Sequence, residues 1–194
     1  MKVARSLFVC ALILAAPTTG AGAAESACNR PPSVPRGLTV RAGMGAAVWT
    51  GAVGGVSRTG VAFSFGVGYE LFSWLAVEAN WSAGFHETDA PFPPAPGAFA
   101  TQALNLGARL TLPLEPFDLF LRGGAGWSWS RPNILVRIDD FASEPSLSWL
   151  GGLGFSWHTP RRRIWIGLEC NAIGQIGLPS VWIVTNAVIG VTLL

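Results

Sequence analysis

Between residues 61 and 83, apolar side chains alternate with small or polar ones. Val61, Phe63, Phe65, Val67 and Tyr69 interleave with Ala62, Ser64, Gly66, Gly68 and Glu70. After a break, Leu75, Val77, Ala79 and Trp81 interleave with Ala76, Glu78, Asn80 and Ser82. Successive side chains on a strand point to opposite faces, so this period predicts two strands, each with one apolar face. The link Phe72-Ser73-Trp74 suits a hairpin. A soluble sheet would bury its apolar face and expose a charged one. Here the second face is small and polar and carries no Lys. The pattern therefore predicts a membrane hairpin, aromatic outside and polar inside.

The same alternation recurs along the chain and predicts eight strands, at 38–49, 60–71, 75–83, 99–112, 118–130, 147–157, 163–173 and 181–194. Each has the length of a tilted membrane strand, about 9–11 residues or slightly more. Connections after the second, fourth and sixth strands are short (72–74, 113–117, 158–162). Those after the first, third, fifth and seventh are mostly longer (50–59, 84–98, 131–145, 174–180). The expectation is an all-β fold, an eight-stranded antiparallel up-and-down transmembrane β-barrel over 37–194, with both chain ends on the short-turn side. A helical span over 164–194 competes, because Glu169 is its single charge. Gly167, Gly174, Gly177, Pro179 and the β-branched content oppose it, and 181–194 is shorter than the ~20 residues a spanning helix needs.

Composition changes the picture at the N-terminus. The chain has 194 residues with 24 Gly, 9 Trp and only 12% charged residues, a balance unlike that of soluble domains. Lys2 and Arg5 precede an apolar run over 7–16 and the small residues Ala21-Gly22-Ala23-Ala24, which reads as a signal peptide over 1–24. A Pro-rich lead-in, 25–36, follows. Without Lys2 and Arg5, the 13 cations become 11 Arg against 11 Asp and Glu, so no basic surface for nucleic acid remains. Cys28 lacks a lipoprotein context, and Cys170 falls on an outward position. A Cys28–Cys170 disulfide is disfavoured by that geometry, and no cysteine spacing fits zinc.

Signal peptide, alternating strands, asymmetric connections and outward aromatics together resemble the small outer-membrane barrels of the OmpA and OmpX type. The resemblance is architectural and covers about 38–194. It implies a multi-pass barrel in the bacterial outer membrane with both termini periplasmic, a monomer. Its partners would be membrane lipid and lipopolysaccharide, with periplasmic chaperones and the barrel-assembly machinery during biogenesis, and no cofactor or metal. Such barrels usually end in an aromatic residue that the assembly machinery reads; this chain departs from that, ending Thr192-Leu193-Leu194. No peptidoglycan-binding domain follows the barrel, so wall anchoring is not implied.

An eight-stranded barrel is just wide enough for side chains to fill it. The inward set contains Arg41, Glu70, Glu78, Arg109, Arg122 and Glu169. Three cations facing three carboxylates predict a charge-paired plug. Arg109 and Arg122 are expected to pair with Glu70 and Glu78, and Arg41 and Glu169 to complete the ring. The outward set predicts an aromatic girdle of Trp81, Trp127, Trp129, Trp149 and Trp157. Three functions compete: a structural or surface-interaction barrel, contacting a ligand through 84–98 and 131–145; a narrow gated channel; and a lipid A-modifying enzyme. For the last, Ser82, His86, Glu87 and Asp89 cluster near the end of the third strand, and His158 stands apart at a short turn. Polar loop tips commonly carry such residues without chemistry, so no catalytic residue is assigned.

Overall fold

The computed structural model describes residues 37–88, 97–114, 116–131, 144–159 and 163–193. The signal peptide, the lead-in, Cys28, Asp89 and most of the 84–98 and 131–145 connections lie outside the described residues.

Eight strands form one closed antiparallel barrel in sequence order. They are β1 (Leu38–Trp49), β2 (Gly60–Phe72), β3 (Leu75–Glu87), β4 (Ala98–Leu114), β5 (Phe117–Arg131), β6 (Ser146–His158), β7 (Ile164–Gln175) and β8 (Val181–Leu193). The seam joins β1 to β8 from Leu38↔Leu193 to Trp49↔Trp182, so no sheet edge is left open. Among the described residues, no helix is long and apolar enough to cross a membrane.

Sequence parity sets the two faces. Phe63, Phe65, Tyr69, Val77, Trp81, Leu106, Leu121, Leu153, Leu168 and Ile189 are exposed on the outer wall. Their neighbours Arg41, Glu78, Asn80, Asn105, Arg109, Arg122, Glu169, Asn171 and Asn186 are buried inside. This is the inverse of a soluble protein: the apolar surface is outside and continuous, far larger than a soluble monomer leaves open.

Several boundaries differ from the alternation-based expectation. β3 continues four residues past 83, because Phe85 faces out, His86 faces in, and Phe85↔Ala100 through Glu87↔Ala98 extend the ladder. Pairing of Leu114 with Phe117 likewise shortens the turn expected over 113–117, and the β2–β3 turn contracts to Ser73 and Trp74. The 50–59 connection contains an unforeseen helical turn, α1 (Gly51–Gly54). It starts at Gly51 with φ 70°, a left-handed conformation that glycine adopts without a Cβ penalty.

Candidate functional site in the barrel interior

The interior has three layers. In the layer toward the short turns, Glu78 on β3 is the hub. Its carboxylate takes two hydrogen bonds from the Arg41 guanidinium, at 2.8 and 3.0 Å. It also faces Arg109 Nε at 3.3 Å and Arg122 Nε at 3.7 Å. Glu169 pairs with Arg122 at 2.9 Å and with Arg41 at 3.7 Å. Glu70 meets Arg109 at 3.1 Å and accepts a long bond from Thr39. Asn80 accepts a further hydrogen bond from Arg41. The six charges expected inside lie in one connected network: the expected contacts of Arg109 with Glu70 and Glu78 and of Arg122 with Glu78 are present, and Arg41 and Glu169 make the shortest ones. Arg41 is the main partner of Glu78, Arg122 that of Glu169, and Glu70 is tied to Arg109 alone among the ion pairs described. The reason is room. Arg41 lies opposite Gly66 in the β1–β2 register, and a Cβ there would stand 2.7 Å from the Arg41 guanidinium carbon. The missing side chain lets Arg41 reach over β2 to Glu78 on β3. Phe120, which alternation places inward, adds ring contacts to Arg122 and Arg109 at 5.0 and 5.8 Å.

Below this ring, Asp118 accepts from His158 Nε2 at 2.8 Å, and Ser156 Oγ lies 3.2 Å from the same nitrogen. A nucleophile–base–acid relay needs the hydroxyl and the carboxylate on opposite ring nitrogens. Here both compete for one, so the trio is not a relay.

The middle layer is neutral and polar. Ser148 donates to Asn105 at 3.2 Å, Asn186 to Ser64 at 3.0 Å, and Asn171 to Glu169 at 3.3 Å.

The layer toward the long connections is apolar, which alternation does not reveal. Trp49, Phe99, Ile173, Trp182 and Val184 point inward and are buried, together with Val53 from α1 and Leu178 from the β7–β8 connection. Trp49 and Trp182 stack at 6.2 Å, and His86 stacks on Phe99 at 5.3 Å. Ser180 Oγ accepts from the Val53 amide at 3.3 Å and holds α1 over the mouth. His86 is 1% exposed. Its Nε2 accepts from the Trp182 indole at 3.1 Å, which leaves Nδ1 to donate to the Arg58 carbonyl at 3.1 Å. Both ring nitrogens are therefore occupied. Glu87 points away, toward Arg58 at 3.9 Å, with both side chains exposed. The Ser82, His86 and Glu87 positions are thus divided between interior and surface, and Asp89 lies outside the described residues. Among the described residues no group of His, Cys, Asp and Glu stands in a metal-binding arrangement.

The tryptophans expected in a girdle all stand on the outer wall. Trp127 and Trp149 lie toward the long connections and Trp157 beside the short turns; all three are exposed, and so is Trp81 at mid-strand. Trp129 is outward and half-buried. Phe72 and Trp74, stacked at 5.6 Å, join Trp157 at the short-turn end.

This arrangement, an apolar wall around a side-chain-filled interior, defines the class: the chain has the fold of the small eight-stranded outer-membrane β-barrels. Among solved structures it is similar to Neisserial surface protein A, with TM-score 0.59 and 16% identity over 80% of this chain and 97% of that one. It is also similar to Ail, the attachment invasion locus protein of Yersinia pestis, with TM-score 0.52 and 15% identity over 81% and 99%. A third is the N-terminal barrel domain of Pseudomonas aeruginosa OprF, with TM-score 0.50 and 9% identity over 81% and 98%. No protein-family model matches the sequence, and no curated protein does.

Proposed function

We propose that the chain is a resident barrel of the bacterial outer membrane with a structural or surface-interaction role, and that it neither conducts nor catalyses. The observation that supports this most is the double closure of the interior. The charge network fills one level, and the Trp49–Trp182–His86–Phe99 cluster fills another. An ion would have to exchange partners with buried guanidiniums and then cross an aromatic layer that excludes water. Catalysis has no footing in the contacts described either: both His86 nitrogens are occupied within the apolar layer, and at His158 the carboxylate and the hydroxyl share Nε2. What remains free is the outer surface. Lipid and lipopolysaccharide would cover the wall, and the 84–98 and 131–145 connections would meet any surface ligand. Both barrel ends lie at the short-turn side, which in this reading faces the periplasm, where chaperones and the assembly machinery would meet the chain.

Two measurements test the reading. Boiled and unboiled samples should migrate differently on a gel, with a β-rich far-ultraviolet circular dichroism spectrum; a helical spectrum in detergent would end it. In planar bilayers the protein should give no single-channel steps. Regular ion-selective steps would instead establish the gated channel.

A further inference from the structure

Among the described residues, Asp118 is the interior carboxylate that the arginines leave over. Arg41, Arg109 and Arg122 balance Glu70, Glu78 and Glu169. Asp118, on β5 next to the short turn, is a fourth acid. Its ion-pair partner is His158, through Oδ2. Its other oxygen, Oδ1, is buried and has no hydrogen-bond partner, in a residue only 7% exposed. His158 Nδ1 is also buried without a partner. With the Nε2 proton shared between Asp118 and Ser156, Nδ1 of the neutral ring carries a lone pair, so it too is an unmet acceptor.

Both residues line a cavity of about 30 Å³ inside the short-turn mouth, with Glu70, Arg109, Phe120 and Trp165. That volume admits one or two groups the size of a water. Phe120 already carries the Arg122 and Arg109 guanidiniums near its ring, which leaves Trp165 as the aromatic wall. Trp165 fits because Gly190, its partner on β8, has no Cβ to collide with the indole. Phe72 and Ser73 of the β2–β3 turn also line the cavity and are exposed, so it is reached from that turn. Arg163 stands at the same end, but it is exposed and outside the lining. The lining therefore holds two carboxylates against one guanidinium, and its unmet buried atoms are acceptors.

We propose that this cavity binds the primary ammonium group of a small free amine, anchored on Asp118 Oδ1 with Glu70 beside it. An ammonium brings one positive charge and three N–H donors, whereas a water brings two donors and leaves the charge unbalanced. The Trp165 ring adds a face that favours a cation, and the alkyl tail leaves past the exposed Phe72. A divalent metal is the poorer occupant, because no described group of His, Cys, Asp and Glu stands in a ligating arrangement. The site stands on the barrel fold itself; that the amine would arrive from the periplasm rests on the membrane reading above.

The test uses the full barrel in phosphatidylcholine nanodiscs, titrated with methylammonium chloride at constant ionic strength and followed by backbone amide chemical shifts. Amides around Asp118, Ser156 and His158 should shift saturably. Sodium and tetramethylammonium carry the charge without N–H donors, so neither should saturate in the same range. Asp118→Asn keeps an acceptor for His158 but replaces the free oxygen with an NH2 donor, so the midpoint should rise about tenfold or more. Ser73→Arg sets a cation at the exposed rim without touching the interior. It should also weaken binding, which keeps the test decisive if Asp118→Asn does not fold. No saturable shift in the wild type would mean that water alone fills the site, and would overturn the proposal. So would midpoints unchanged in both variants, or an equal response to sodium. Boiled and unboiled gel lanes of the same samples separate the two ideas: a heat-shifted wild type that ignores methylammonium refutes the site alone, and a protein with no heat shift refutes the membrane reading.

Discussion

The indole of Trp182 on β8 donates to His86 Nε2 on β3 at 3.1 Å, through the barrel interior. The two residues are 96 positions apart in the chain and share no strand pairing. Their contact ties two non-adjacent strands together inside the apolar layer, and it sets the histidine tautomer from one side while Arg58 sets it from the other.

Breaking that contact should be costly in a specific way. His86→Phe keeps an aromatic ring against Phe99 but leaves the Trp182 N–H buried without an acceptor, so the loss should be about 1–3 kcal/mol. His86→Ala also leaves a cavity and should cost more. Urea titrations of the lipid-inserted barrel measure both. If the two variants proved as stable as the wild type, the apolar layer would not be a packed seal.

The charge network predicts which double substitution rescues which single one. Arg109→Ala removes the one cation paired with Glu70 in the structure, whereas Glu78 keeps Arg41 and Arg122. The single variant should lose about 1–3 kcal/mol, because the carboxylate it leaves unpaired is only half-buried. Adding Glu70→Gln should restore part of the loss. Adding Glu78→Gln should not, because it strips charge from two other arginines. A double-mutant cycle showing additivity for Arg109 with Glu70 would contradict the wiring.

Parity of β7 is open to a direct comparison. Leu168 is outward and exposed, while Asn171 is inward and buried. Leu168→Arg should cost about 2–4 kcal/mol in a folding titration into lipid. Asn171→Ser, facing the polar middle layer, should cost less. Equal losses at the two positions would refute the assigned faces.

Cys170 supplies a label-based test of the same strand. It lies on the outer face, where Thr185 donates to its sulfur at 3.6 Å. In the inserted barrel a charged, water-soluble maleimide should leave it unmodified, and a lipid-soluble one should react. In denaturant both should react, and with Cys10 and Cys28 replaced by Ser intact mass reads the outcome at Cys170.

Most of the barrel was legible because its two faces differ in chemistry. Where the inside is Arg, Asn, Ser or Gly and the outside is Leu, Phe or Trp, the period of two is plain, and the faces of β2, β4 and β5 follow from it. The signal fades where the inside turns apolar. In β8, Val181, Trp182, Ile183 and Val184 show no contrast, although Trp182 and Val184 are buried and the other two are half-exposed. Parity carried from Asn186, Asn105 and Asn171 still places Trp182, Val184, Phe99 and Ile173 inward, but that they pack into an apolar plug was not legible in the alternation. Val53 was hidden for another reason: a single helical turn in a Gly-rich connection carries no periodicity. The charged residues of the interior were identifiable from parity alone. Their pairing was legible in part: Arg109 and Arg122 do meet Glu70 and Glu78, but the shorter Arg41–Glu78 and Arg122–Glu169 contacts depend on register and on which neighbours are glycine.

The β1–β8 seam has a consequence for how the molecule is put together. It joins the first strand to the last over the whole of β1, and once closed it is indistinguishable from the hairpin contacts around the rest of the circle. Seven of the eight interstrand contacts form between neighbours along the chain, which are cheap to bring together; the eighth must wait for both ends. Because Leu38 and Leu193 then stand side by side, a short bridge between them with a break in a long connection would yield the same ring with a different starting strand. The order of the strands around the wall is a property of the circle, and the position of the first one is a matter of where the polypeptide happens to be cut.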